Sequence, residues 1–450
     1  MARGKKKETL TPEERLQAAL VPVSEQPYKV PGNWCWTRME NIAQWGSGGT
    51  PSRKIPEYYN GDIPWIKTGE LNDDYIFETE EHITEEAISH SSAKLFPVNT
   101  VAIAMYGATI GKVGILGVAA TTNQACACGV SNSLANHKYL FYYSRSQKDN
   151  FIKKGKGGAQ PNISQEIIKS HEFPLPPLSE QHRIVDRIES LFAKLEEARQ
   201  KAQDALDSFE TRKAAILHRA FTGELTARWR KERGIGMDSW ERLKLGEIGT
   251  LERGRSQHRP RNDPRLFGGP YPFIQTGDVA SANVYITEHH QTLSEFGMEQ
   301  SRMFSAETLC ITIAANIGDV AILSYDCCFP DSVVGFIPNN RSISKFVYYM
   351  MSVLQKELED NAPATAQKNI NLKILNAVEM NIPPVIEQAE IVRRLDNLLA
   401  KEQQAKENAE KVLEQIDLIQ KAILARAFRG ELGTNDPSEE SAVELLKQVL

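Results

Sequence analysis

The chain has 450 residues, enough for two to four domains, with 41% apolar and 25% charged residues and a formal net charge of −5. These are the proportions of an ordinary globular chain, and no apolar run approaches the length of a membrane-spanning helix. The acidic balance counts against a general nucleic-acid binder unless positive charge is gathered locally or a partner supplies it.

Along the chain, the basic stretch Arg3-Gly4-Lys5-Lys6-Lys7 leads into Thr-Pro-Glu-Glu rather than an apolar segment. A secretory signal is therefore not expected, and a reducing, cytoplasmic setting is. Residues 1–30 read as an arm, in which Thr11 is placed to cap a helix that starts at Pro12. The arm is expected to pack near the end of the second long helix. Residues 31–175 read as a mixed domain of short strands and turns. Val101–Tyr106 and Val113–Leu116 look like buried strands joined by the turn Gly107–Gly111, and Tyr139–Tyr143 belongs on a helix. Residues 176–234 hold a long helix, 235–382 a second mixed domain and 383–433 a second long helix. The acidic tail 434–450 is expected to be mobile and then briefly helical through Val443–Leu446.

The halves repeat. Residues 159–225 align with 366–432 at an offset of 207 without a gap, and 28 of the 67 positions are identical. Gln160, Asn162 and Ile163 recur as Gln367, Asn369 and Ile370; Pro176-Pro177 as Pro383-Pro384; Glu180-Gln181 as Glu387-Gln388. Arg-Ala-Phe-x-Gly-Glu-Leu occurs at 219–225 and 426–432. So long a period is a duplicated half, not a solenoid repeat. The mixed domains repeat more loosely: Trp65–Glu70 corresponds to Phe273–Asp278, and Lys138–Tyr143 to the segment from Lys345.

After each double proline the apolar residues fall at spacings of three and four, as in Ile188, Leu191, Leu195 and Leu395, Leu398. Each helix should run about 38 residues, roughly 57 Å, the first capped by Ser179. Glu402 interrupts the second stripe. The two helices either pack antiparallel on each other or fold back on their own domains. The fold class is thus α+β: two similar mixed domains separated by two long antiparallel helices forming a coiled-coil spacer, with pseudo-two-fold symmetry.

The chain lacks a phosphate loop, a dinucleotide fingerprint, a nucleophile elbow and a zincin helix. Cys126-x-Cys128 and Cys327-Cys328 lack zinc spacing, so no metal site is expected. What remains is basic, polar loops. In the first domain the candidates for DNA contact are Thr50, Arg53, Lys54, Lys67, Thr68, Lys112, Lys153, Lys154, Lys156, Gln160 and Asn162. In the second they are Arg253, Arg255, Gln257, His258, Arg259, Arg261, Gln275, Thr276, Gln367, Lys368 and Asn369. Lysines beside glycines can follow phosphates, and arginine and glutamine can bond base edges bidentately. The same loops could equally be solvated surface.

With its Pro-Pro/Glu-Gln/Ile-Val pairs, long helices and Arg-Ala-Phe-x-Gly-Glu-Leu ends, the chain resembles the specificity subunit of type I restriction-modification systems over about residues 30–433. The resemblance implies a non-catalytic subunit whose two target-recognition domains each read half of a bipartite site in double-stranded DNA. It implies two methyltransferase subunits and a restriction/translocase subunit as partners. S-adenosylmethionine, ATP and Mg2+ would sit on those partners, with no cofactor in this chain and no membrane. The shared residues Glu180, Gln181, Arg219, Phe221, Glu387, Gln388, Arg426 and Phe428 are the expected partner dock. Two other readings stay open. One is a non-DNA scaffold using loop aromatics such as Tyr58, Tyr59, Tyr75 and Tyr285, and the other is the recognition subunit of a related type II-like restriction system.

Overall fold

The computed structural model describes residues 11–155, 162–314, 317–360 and 370–450, with only the backbone at 356–360. It divides into two units: residues 1–201 with 411–450, and residues 202–410.

In the first unit the arm helix Pro12–Ala19 begins as its sequence predicts. Thr11 Oγ1 accepts from Glu14 N at 3.2 Å, and the Glu14 carboxylate accepts from Thr11 N at 2.8 Å. The strands are β1 Cys35–Arg38, β2 Ala43–Ser47, β3 Ile63–Ile66, β4 Tyr75–Ile76, β5 His82–Ile83, β6 Val101–Ala104, β7 Val113–Leu116, β8 Thr121–Thr122, β9 Cys126–Ser131 and β10 Glu172–Leu175. A five-stranded sheet has the order β2-β9-β6-β7-β4, a smaller one β5-β3-β8, and β1 pairs with β10. The predicted strands β6 and β7 are antiparallel neighbours, and their turn uses Gly107 and Gly111 at φ 61° and 75°. Val101 and Ile103 share a core with Tyr139, Leu140 and Tyr143 of the helix His137–Ser146. Ala102 and Ala104 face a second core with Ile66 and Leu116. Burial on both faces explains the unbroken apolar run.

The second unit repeats this plan with β11 Glu241–Lys244, β12 Gly249–Arg253, β13 Phe267–Phe273, β14 Tyr285–Ile286, β15 Gln291–Leu293, β16 Met303–Phe304, β17 Leu309–Thr312, β18 Val320–Leu323, β19 Cys327–Cys328, β20 Val333–Pro338 and β21 Glu379–Ile382. Its sheets run β12-β20-β17-β18-β14 and β15-β13-β19-β16, and β11 pairs with β21. The six cysteines are free and buried, and burial pushes the thiols of Cys35, Cys128 and Cys327 up to about 12.

The first long helix runs Leu178–Asp207, yields at Ser208 and resumes as Phe209–Phe221; the second is one helix, Val385–Ala427, of 43 residues. At 1.5 Å per residue the second is about 65 Å long, more than expected. Ser179 is not the cap, because the helix has already begun at Leu178; its hydroxyl donates to Glu439 Oε1 at 2.6 Å instead. In the first unit Arg183 donates to Thr434 O at 2.9 Å and Arg199 to Asp417 at 2.8 Å, so the two helix segments run antiparallel. In the second unit Arg212 reaches Glu402 at 2.7 Å and Arg394 reaches Leu225 O at 2.7 Å, with the same sense. The segments also share cores with their own domains: Ile184 and Ile188 with Tyr139 and Phe428, Leu217 with Phe346 and Leu395. The two packing alternatives are therefore both realised within each unit.

The repeated Arg-Ala-Phe-x-Gly places its glycine just past each helix, at φ 80° for Gly223 and 73° for Gly430. The tail differs from the mobile segment expected. Thr434 donates to Glu180 at 2.7 Å, Trp34 Nε1 to Asn435 at 3.0 Å, and Arg183 Nη2 to Glu439 Oε2 at 2.8 Å. The helix Ala442–Lys447 buries Ala442 and Leu446 in the core that also takes Leu16 and Leu20 of the arm. The arm thus meets the end of the second long helix as expected.

Candidate nucleic-acid interface

In the first unit, pairing places Ser47, Ala104, Val113 and Cys126 at one end of the five-stranded sheet. The loops leaving that end are tied together by backbone bonds: Gly49 N to Thr122 O at 2.8 Å, Asn123 N to Ile66 O at 3.0 Å, Met105 N to Ala125 O at 2.8 Å and Ile163 N to Met105 O at 2.9 Å. In the second unit the same end carries Arg253, Thr312, Val320 and Val333. Its ties correspond: Gly254 N to Val333 O at 2.9 Å, Ile274 N to Cys328 O at 2.9 Å, Ile313 N to Ser332 O at 2.9 Å and Ile370 N to Ile313 O at 3.1 Å. The duplicated Ile163 and Ile370 are thus framework residues that fasten equivalent loop sets.

The first loop set gathers Thr50, Arg53, Lys54, Lys67, Thr68 and Lys112, joined by Asn162, whose backbone bridges to Tyr106. Two of its cations, Arg53 and Lys67, are paired. The Arg53 guanidinium lies 4.2 Å from the Tyr59 ring centroid and 5.0 Å from that of Trp65. It also donates to both Glu81 oxygens at 2.5 and 3.1 Å. Lys67 Nζ bonds Glu80 at 2.8 Å and Glu81 at 3.1 Å. The bond from Arg53 holds the Glu81 carboxyl below the usual range. Thr50 donates to Gln124. Lys54 and Asn162 are exposed, while Thr68 and Lys112 are half-buried. On the neighbouring helix Lys148–Lys154, Lys153 is exposed but Lys154 turns to His171 Nδ1 at 2.9 Å and Glu172 at 3.5 Å. Lys154 is therefore more a domain contact than a loose basic residue. Lys156 and Gln160, like Gln367, Lys368 and Asn369, lie outside the described residues.

In the second set Arg255, His258, Arg261, Gln275, Thr276 and Gln291 line a recess of about 500 Å³ together with Phe267 and Phe273. Arg261 Nη2 reaches both Asp331 carboxylate oxygens, at 2.8 and 2.9 Å, and the Arg253 side chain donates to the Asp331 carbonyl. Arg255 bonds Gln257 at 2.5 Å, and Arg259 donates to the carbonyls of Ser256 and His258 at 2.8 Å each. His258 bonds Asp263 at 2.8 Å, and Arg265 beside it holds the Asp263 carboxyl well below its usual range. Gln275 Nε2 donates to Gln291 Oε1 at 2.9 Å. Sequence reasoning missed Glu80, Glu81, Gln291 and Asp331, which come to the site only through strand pairing. It also misread Tyr58, which is buried, and Tyr59, which lies under Arg53.

Four of the expected docking residues need correction, because they are fully buried: Glu180, Gln181, Glu387 and Gln388. Gln181 bonds Asn136 N at 2.8 Å, Leu134 O at 2.8 Å and Pro176 O at 3.1 Å. Gln388 repeats this with Ile343 N, Arg341 O and Pro383 O at 3.2, 2.7 and 2.8 Å. Glu180 takes Thr434 and Arg183, and burial pushes its carboxyl up. Glu387 takes Thr226 at 2.6 Å, Arg230 at 2.5 Å and Trp240 at 3.1 Å. Buried polar groups are retained when every partner is supplied, and these are. Phe428 is also buried, between Tyr139 and Tyr143, and Phe221 half-buried against Phe346. Only Arg219 and Arg426 are exposed. Among the described residues no helix is long and apolar enough to cross a membrane, and no cluster of His, Cys, Asp or Glu could hold a metal ion.

Residues 31–203 and 237–415 match the family model of the type I restriction modification DNA specificity domain. The chain belongs to the family of type I restriction-modification specificity subunits. The EcoR124I/EcoR124II specificity subunit of Escherichia coli is 34% identical over 157 residues, 34% of this chain and 39% of that one. The MjaIX specificity subunit of Methanocaldococcus jannaschii is 29% identical over 267 residues, 55% of this chain and 58% of that one. These two matches thus span less than two thirds of the relatives' length. The EcoKI specificity subunit of Escherichia coli K12 is 21% identical over 94% of this chain and 96% of its own. Among solved structures, the HsdS subunit from Thermoanaerobacter tengcongensis superposes with a TM-score of 0.68 at 21% identity, covering 91% of this chain and 100% of that one. That likeness carries the fold of this family.

Proposed function

We propose that the chain is the non-catalytic DNA-recognition subunit of a type I restriction-modification complex in the cytoplasm. Each mixed domain reads one half of an asymmetric bipartite site in double-stranded DNA, and the long helices set the spacing. Two methyltransferase subunits dock on the chain, and a restriction/translocase subunit completes the complex. S-adenosylmethionine, ATP and Mg2+ belong to those partners.

The observation that carries this reading is the pair of loop sets. They leave equivalent sheet ends on the same backbone ties yet differ in chemistry, Arg53–Glu81–Lys67 against Arg261–Asp331 and Gln275–Gln291. A shared frame with divergent polar tips suits two related but unlike half-sites. The ion pairs do not oppose this, because exposed pairs are worth about 0–1 kcal/mol and can be exchanged for phosphate or base contacts. Exposed Arg219 and Arg426 remain as docking candidates.

The test is methylation profiling of a host that expresses the chain with its methyltransferase partner. A two-part site with a fixed gap is expected. Methylation without such a site, or no salt-dependent binding to duplex DNA by the complex, would overturn the reading.

A further inference from the structure

The two domains share one register and part company at one pair of positions. In the first unit β3 pairs with β5 so that Ile63 faces Ile83 and Pro64 faces His82. In the second, β13 pairs with β15 so that Tyr271 faces Leu293 and Phe273 faces Gln291. This register makes Gln291 the counterpart of Glu81, as Gln275 is of Lys67. The first pair is an ammonium on a carboxylate at 3.1 Å; the second is an amide on an amide at 2.9 Å.

Both pairs stand on fixed backbone. Glu70 accepts from Lys67 N at 2.7 Å, and Asp278 accepts from Gln275 N at 2.7 Å. Asp278 is held in turn by His290 Nδ1 at 2.9 Å. Gln275 is exposed, so its outer edge is open to a ligand.

An amide pair joined by one hydrogen bond leaves a carbonyl oxygen on one residue and N–H groups on the other. Whichever of the two donates, one carbonyl oxygen and three N–H groups stay unspent. That combination matches the adenine edge in the major groove, which shows an N6–H donor beside the N7 acceptor. Guanine shows two acceptors there and would leave the free carbonyl oxygen without a donor. The lining of the recess beside the pair includes the apolar rings of Phe267 and Phe273, which suit the methyl group of the paired thymine.

We infer that Gln275 and Gln291 together read an A·T pair in the half-site of the second domain. The inference rests on the proposed function and names the chemistry of one of its contacts. At the same register the first domain carries the Lys67–Glu81 ion pair instead of an amide pair.

Methylation profiles of Gln275→Ala and Gln291→Ala chains, each expressed with the methyltransferase partner, test it. Both should relax one A·T pair of one half-site, a pair other than the methylated one, about 10-fold in preference. The other half-site and the gap should stay as in the parent chain. Gln275→Arg should move the preference at that pair toward G·C. An unchanged profile in both alanine variants would overturn the inference while leaving the bipartite reading intact. So would relaxation of a G·C pair, or a Gln275→Arg chain that methylates no site. Absence of any two-part site in the parent chain would instead remove the proposed function.

Discussion

Arg212 and Glu402, on the two helix segments of the second unit, meet at 2.7 Å where the apolar stripe is interrupted. Arg212 also bonds the Ala205 carbonyl at 3.2 Å, so the arginine closes the gap at Ser208 where the first helix yields. The polar residue that looked like a fault is half of a specific contact. Replacing both by Met and Leu should leave stability within about 1 kcal/mol of the parent, because partly exposed pairs return little net energy. Glu402→Leu alone should cost more than the double change. A double-mutant cycle in urea unfolding checks the order, and a double change costing more than the single would sink it.

The two buried glutamates predict an asymmetry. Arg230 is 7% exposed and depends on Glu387, whereas Arg183 is 38% exposed and keeps Glu439 as a second partner. Glu387→Ala should cost about 3–5 kcal/mol, since it strands a buried charge. Glu180→Ala should cost about 1–2 kcal/mol. Thermal unfolding of the two variants measures this. If instead both left stability unchanged and lost partner binding, these residues would be docking groups after all.

The spacing role proposed for the helices has a direct consequence. Deleting a heptad-sized piece within 198–209 should change or abolish the recognised gap and leave each half preference as it was. Methylation profiling reads both quantities at once. An unchanged gap would mean that the helices do not set it.

For Arg255, Arg259 and Arg261, substitution by Ala should weaken DNA binding in a manner that assigns their role. Loss confined to one half-site marks base reading. Equal loss on all sequences, with a salt slope reduced by about 1 per residue, marks phosphate contact. Binding that is unaffected at every salt concentration would remove this loop from the interface.

His171 should make the first unit sensitive to mild acid. Burial first, then the neighbouring Lys154 ammonium, push its imidazole down to about 4, and Glu172 opposes them. Its Nδ1 accepts from Lys154 Nζ at 2.9 Å, which requires the neutral ring. The unfolded chain takes up that proton near pH 6.5, so the contribution is complete above this pH and is lost as pH falls toward 4. Between pH 7 and pH 5 the parent should lose about 2 kcal/mol more than His171→Gln. Urea midpoints of both chains at the two pH values test this, and equal losses would show that another group titrates.

Much of the frame was legible in the sequence because it depends on local or repeated signals. Thr11 with Glu14, the glycine turn between β6 and β7, and the ends of the Arg-Ala-Phe-x-Gly motifs are local. The 207-residue offset carried the rest of the plan. Roles within the repeat were not legible, because identity in two halves is the same signal for a core residue and for a docking residue. Glu180 and Gln181 were misjudged for that reason. The partners of the cationic loops were hidden for another: Glu81 and Asp331 lie 28 and 70 residues from the arginines they hold. Only strand register brings such pairs together, and a single sequence does not state it.

The six sequestered thiols make the chain ready for optical measurement as it stands. Their raised proton affinities and lack of access leave them slow toward maleimides. A cysteine put at exposed Lys54 and another at exposed Arg259 would then be the reactive pair, with no background to engineer away. Dyes at those two points would report the separation of the two loop sets in solution, with and without DNA.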